Sequence, residues 1–163
     1  MRHLCSYVKK GRDRMELPNG VTGFYDREAN KPPQVDGTLF KQLCFSILSH
    51  GGKVIDFKTP QYPANYYYAR VEMLGNPLYI LLNEHYPYLA FASDHEYRNI
   101  TFIDAPALHA HFSPFYQVLG KKALNKPLNL SLAMKTKLNN AELKQIEYWK
   151  PKSIGQIIFN YWD

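Results

Sequence analysis

The chain has 163 residues, with 45% hydrophobic residues, 15% aromatic residues and a formal net charge of +6. That length suits one domain that folds without a metal or disulfide staple, and two cysteines, Cys5 and Cys44, exclude a disulfide scaffold and match no zinc-ligand spacing. No run approaches the ~18 apolar residues of a membrane-spanning helix, and the N-terminus lacks an apolar signal core. The expectation is therefore a cytoplasmic protein of bacterial type, with reduced thiols, no membrane contact and no cofactor.

Charge is uneven. Residues 1–58 hold ten Lys/Arg against six Asp/Glu, residues 59–116 two against five, and residues 117–163 eight against three. Basic flanks attract acidic partners or nucleic acid, while an acidic middle repels a phosphate backbone.

Residues 1–14 are expected to be mobile. HLCSYVKK and GVTGFYD resemble short strands, and NKPP then blocks regular structure. In DGTLFKQLCFSILSHGG, Phe40, Leu43, Cys44, Ile47 and Leu48 follow the i, i+3, i+4, i+7, i+8 stripe of an amphipathic helix. Asp36 stands at its N-cap, and Gly51 and Gly52 can close it. KVIDFKT then reads as a strand.

After the loop PQYPANYY, the runs YYARVEML, PLYILLN, YLAFAS and NITFID are short, apolar or alternating, and separated by turn residues. They predict an antiparallel meander. Arg70 and Glu72 alternate with Val71 and Met73, so one face of the first strand is wet. YILL and LAFA do not alternate, which predicts cover on both faces of the middle strands. PALHAHFSPFYQVL fits a short helix or an edge segment, and LNLSL fits one more strand.

Two helices are predicted at the end, forming a helical hairpin over residues 138–163. Asn139 and Glu142 form a capping box, with Leu138 and Leu143 as its hydrophobic staple. Pro151 ends that helix. Ser153 and Gln156 predict a second capping box, followed by the stripe Ile154, Ile157, Ile158, Tyr161 and Trp162. The expected fold is a single α+β domain over residues 1–163, an antiparallel sheet of about five or six strands packed by the helix near residues 37–50 and by the C-terminal pair.

No nucleophile elbow, phosphate loop or zinc signature is present. His109 and His111 would share one face if they lay in a strand, which makes them a candidate metal pair, with Asp94, His95 and Asp104 as helpers of a metal-dependent hydrolase. Weak single-stranded nucleic-acid binding is a second alternative, supported by the basic flanks and by Tyr66, Tyr67 and Tyr68 beside Arg70. The leading expectation is a non-enzymatic protein-binding module, such as an inhibitor, an immunity-like protein or an assembly subunit, because tyrosine and arginine dominate interface cores. Tyr62, Tyr66, Tyr67, Tyr68, Arg70, Tyr86 and Tyr88 are its candidate contacts. The partner is another protein, with a second copy of the chain as one form it can take, and nucleic acid is the least supported partner.

Overall fold

The computed structural model describes residues 16–129 and 137–163. The expected strand at HLCSYVKK, the mobility of residues 1–14 and most of the strand at LNLSL lie outside them. GVTGFYD is a run of turns rather than a strand, because Gly20 and Gly23 take φ values of 87° and 91° that no strand adopts.

Helix α1 (Gly37–Phe45) begins where the Asp36 carboxylate accepts the Leu39 N–H at 3.1 Å. The chain then tightens into a 3₁₀ turn over Ser46–His50, closed by Gly51 at φ 81°. Phe40, Cys44 and Ile47 are buried as the stripe predicts, but Leu48 is 71% exposed. The tighter winding rotates each residue further about the axis and carries Leu48 off the buried face.

Five strands follow as a meander: β1 (Gly52–Lys58), β2 (Tyr66–Met73), β3 (Asn76–Asn83), β4 (Tyr88–Glu96) and β5 (Asn99–Ile103), each antiparallel to the next. A two-residue turn, Leu74 at φ 52° and Gly75 at φ 81°, joins β2 to β3. Helix α2 (Pro106–Phe112) starts on a proline, whose missing N–H is no loss at that position. Strand β6 (Gln117–Val118) then adds in parallel to the start of β4. Helix α3 (Lys121–Leu124), absent from the sequence reading, precedes α4 (Asn140–Trp149) and α5 (Ile154–Ile158).

The sheet is covered on both faces. Phe40 and Ile47, with Leu108 and Phe112 of α2, pack on Val71, Ile80, Leu82 and Phe91. On the opposite face Ile146, Ile154, Ile157 and Ile158 pack on Tyr66, Leu81, Ala90, Ala92 and Phe102. This explains why YILL and LAFA are apolar on both sides. Beyond the C-terminal helices the second face opens to solvent, where Arg70 is exposed and Lys53 pairs with Glu72 at 3.5 Å. The fold is α+β, with a six-stranded, mostly antiparallel sheet.

The C-terminal hairpin holds for its first half. Asn139 accepts the Glu142 N–H, and the Glu142 side chain reaches back to Asn139, so the capping box is complete. The second box is not formed. The Gln156 side-chain oxygen Oε1 accepts the Lys152 N–H at 2.6 Å, and the Ser153 side chain makes no cap hydrogen bond among the described residues. Helix α5 also stops at Ile158, short of the predicted stripe's end. The Asn160 N–H is taken by the Asn65 side chain at 2.8 Å, and the Asn65 N–H bonds back to the Asn160 carbonyl. Tyr161 then bridges Ala64 as a short antiparallel pair. Those bonds outcompete one further helical turn. Ile154, Ile157, Ile158, Phe159 and Trp162 remain buried.

A buried amide network ties three segments together. The side-chain amides of Asn65 and Asn83 both donate to the carbonyls of Val21 and Ile158, at 2.8–3.1 Å. Asn160 donates to the carbonyls of Thr22 and Ile157. The tail is therefore held by directional bonds as well as by apolar contact.

Candidate functional site

Strand β4 carries a bulge. Ala92 pairs with Phe102, but the next pair is Asp94 with Thr101, followed by His95 with Ile100. The extra residue shifts the alternation by one. His95, rather than Asp94, is thereby placed on the face that holds Tyr66, Tyr68 and Tyr79. Without the bulge a carboxylate would stand there.

His95 sits among four tyrosines. Its Nε2 lies 2.7 Å from the Tyr66 hydroxyl. Its ring lies 4.6 Å from that of Tyr68, 4.9 Å from Tyr97 and 5.6 Å from Tyr79. Burial lowers the His95 pKa, opposed by the Asp94 charge, and burial with the Tyr97 hydroxyl nearby pushes Tyr68 up to about 12. Burial therefore favours the neutral forms of His95 and Tyr68. Because the folded pKa lies below the ordinary 6.5, the unfolded chain takes up the proton first. The stabilisation is full above pH 6.5 and is lost as pH falls through the folded pKa. Urea titrations of native and His95→Gln protein should show their stability difference shrinking as the pH is lowered below 6.5. A pH-independent difference would contradict a depressed His95.

The aromatic contacts continue across the surface. Tyr97 lies 4.4 Å from Tyr161 on the tail. The Arg98 guanidinium is 4.9 Å above Trp149 at the end of α4 and 5.9 Å from Tyr161, and Trp149 meets Tyr148 at 5.2 Å. A stripe thus runs from Tyr79 through Tyr68, His95, Tyr97 and Tyr161 to Arg98 and Trp149. Tyr97 is 42% exposed and Tyr148 76%. Beside the β4–β5 turn the stripe borders a cleft of ≈ 220 Å³, walled by Tyr97, Arg98, Trp149, Tyr161 and Trp162. Gly155 lets α5 approach this closely, since a Cβ there would lie 2.5 Å from the Phe102 ring. At the cleft, Asn160 Oδ1 is buried and receives no hydrogen bond.

The sequence-derived candidates are dispersed. Tyr66, Tyr67 and Tyr68 belong to β2 rather than to the preceding loop, because their backbone pairs with Leu81, Leu82 and Asn83. Tyr66 is buried, Tyr68 is on the stripe, and Tyr67 faces the other way, edge-on to Phe40 at 5.9 Å. Tyr86 and Tyr88 stack on each other and pack against the core, with the Tyr86 hydroxyl donating to the Asn19 carbonyl. Tyr62 alone of the tyrosines singled out is fully exposed. Arg70 stands opposite Asp56 and Tyr79 on the open face.

The candidate histidines His95, His109 and His111 do not converge, although the His111 ring meets that of His50 at 5.0 Å. His109 and His111 lie on helix α2, not on a strand, where two residues turn about 200° and separate the side chains. His111 Nε2 bonds the Leu43 carbonyl and the Ser46 hydroxyl on the face covered by α1. Asp94 is exposed beside the bulge, and Asp104 caps α3 by accepting the Lys121 N–H at 2.9 Å. Among the described residues no three His, Cys, Asp or Glu side chains come together as a metal site. The ligand set that a hydrolase at His109 and His111 needs is not assembled there.

Tyr79, Tyr97, Arg98, Trp149 and Tyr161 escaped the sequence reading. YR inside DHEYRN looks like an ordinary turn, and Trp149 and Tyr161 read as helix packing. Only the fold brings them together. Among the described residues no helix is long and apolar enough to cross a membrane. No family model, curated protein or solved structure matches the chain. The fold and this face define an α+β domain with an aromatic surface cleft.

Proposed function

We propose that the protein is a non-enzymatic module that binds another protein through the aromatic stripe and its cleft. The observation that carries this reading is the unbroken run of ring contacts from Tyr79 to Tyr161, which Arg98 extends to Trp149. Clustered Tyr, Trp and Arg dominate binding energy at protein interfaces, because they bury large area with few rotatable bonds. Here the rings are already held in place, so little side-chain freedom is lost on contact.

Affinity capture with the native chain should return one stoichiometric protein partner. Tyr97→Ala combined with Arg98→Ala should abolish the capture while circular dichroism shows the fold retained at a modestly lower melting temperature, since both side chains lie at the surface and lose only ring contacts. A double variant that retains its partner would move the contact surface elsewhere. A histidine-centred hydrolase would instead lose activity with His109→Ala and His111→Ala and keep it with the stripe variant.

A further inference from the structure

We infer that the cleft receives one large aromatic side chain of the partner and that Arg98 binds a carboxylate adjacent to it, so the recognised element is an acidic peptide segment with an aromatic anchor. This rests on the binding-module reading and names the chemistry of its partner. Three observations support it.

The first is size. The cleft measures ≈ 220 Å³, below the roughly 300–1,000 Å³ of pockets that enclose a drug-sized ligand. It suits one planar ring, and its walls are themselves rings, which offer faces and edges to such a guest.

The second is the state of Arg98. Arg98 lies over the Trp149 and Tyr161 rings, and it pairs with the Asp163 carboxylate only at 3.9 Å, beyond hydrogen-bond distance. A guanidinium has five donors in a planar fork that matches a carboxylate. Arg98 donates no side-chain hydrogen bond among the described residues, and its ion pair with Asp163 is long and exposed, so a closer carboxylate can displace it. A bidentate carboxylate needs such a group.

The third is charge. Arg98 is the cation that lines the cleft, and Pro151 on its rim is flanked in sequence by the exposed Lys150 and Lys152, with Glu147 and Asp163 as the nearby exposed acids of the tail. A polynucleotide is disfavoured along the stripe itself. Asp56 and Glu72 stand on the same open face as Tyr68, and Glu96 is exposed beside Tyr97. A phosphate backbone following the rings would meet each of them, whereas a peptide carrying one or two carboxylates can place them at Arg98 alone.

Both tryptophans of the chain, Trp149 and Trp162, line the cleft, so intrinsic fluorescence reports its occupancy. The probe is the blocked pentapeptide Gly-Glu-Phe-Glu-Gly, which has no fluorescence of its own above that of tryptophan. We expect a saturable change in the tryptophan emission. Affinity should fall at least about tenfold when the Phe is replaced by Ala, when the acids are replaced by their amides, or when the protein carries Arg98→Ala, since a bidentate carboxylate contact is worth that much. Arg98→Lys should recover only part of it, because an ammonium neither stacks nor forks. Arg70→Ala, away from the cleft, should leave binding unchanged. No emission change up to about 1 mM peptide, equal binding of a Lys-Gly-Phe-Gly-Lys peptide, or tighter and steeply salt-dependent binding of a uridine oligonucleotide would each overturn the inference. If the stripe variant loses a captured partner while the acidic peptide does not bind, this inference fails and the binding-module reading stands. If no partner is captured and no peptide binds, both fall.

Discussion

Truncation after Ser153 is expected to unfold the protein. The deleted segment contributes Ile154, Ile157, Ile158, Phe159 and Trp162, all buried. At roughly 1.5–3 kcal/mol each, their burial sums to the order of a domain's whole stability of about 5–15 kcal/mol. The loss is not only apolar. Asn160 and the Ile158 carbonyl hold Asn65, Asn83 and Thr22 in the buried amide network, and deletion leaves those groups inside without partners. Circular dichroism and chemical denaturation should show no cooperative transition in the truncated chain. A truncated chain that folds normally and has lost only its partner would mean that the tail serves recognition and not the core. Tyr161 and Trp162 also wall the cleft, so in the native protein one segment supplies both core and contact surface.

Glu142→Ala is expected to cost about 3 kcal/mol or more of stability, from orphaned buried donors at ~1–3 kcal/mol each. Glu142 is fully buried. One of its oxygens accepts the Gly20 N–H at 2.7 Å, the Asn139 N–H at 3.2 Å and the Asn139 side-chain amide at 3.1 Å. The other accepts the Thr22 N–H at 2.9 Å and the Thr22 hydroxyl at 2.6 Å. Burial raises the Glu142 carboxyl above its ordinary value, opposed by the Thr22 hydroxyl and by the Gly20, Thr22 and Asn139 N–H groups. Ionised, it satisfies all of them. Glu142→Gln keeps the shape but turns an amide NH₂ toward donors in either orientation, so it should lose a smaller but measurable part of the same stability, about 2 kcal/mol. Urea denaturation at pH 7 distinguishes the two losses. A Gln variant as stable as the native protein would show that Glu142 is protonated in the folded state and already donates a hydrogen bond.

Glu142 shows what was legible in the sequence. Asn139 and Glu142 announce a helix start through their spacing, because capping satisfies backbone donors within one turn. That the same carboxylate also clamps residues 20 and 22 had no local signal. The meander was readable for a related reason. Period-two alternation in YYARVEML and continuous apolar runs in YILL and LAFA record how many faces each strand buries. The loop PQYPANYY takes in Tyr66 and Tyr67 because Pro60 and Pro63 mark a break nearby, and a strand's first residues carry no local boundary signal. His109 and His111 were paired on the assumption of a strand period. Pro106 at the first helical position decided otherwise.

Local chemistry in the sequence thus determined the α+β class, the order of strands along the chain, the wet face at Arg70 and Glu72, and the starts of the helices at Asp36 and Asn139. Each follows from interactions among residues a few positions apart. Tertiary structure alone decided that α1 and the C-terminal helices lie on opposite faces, that a bulge aims His95 at the tyrosines, and that the tail leaves its helix at Ile158. It also brought Arg98 over Trp149 and Tyr161. Contacts between distant segments form only when the sheet closes, and they can outweigh the propensity of a single turn because each buries groups from both partners at once.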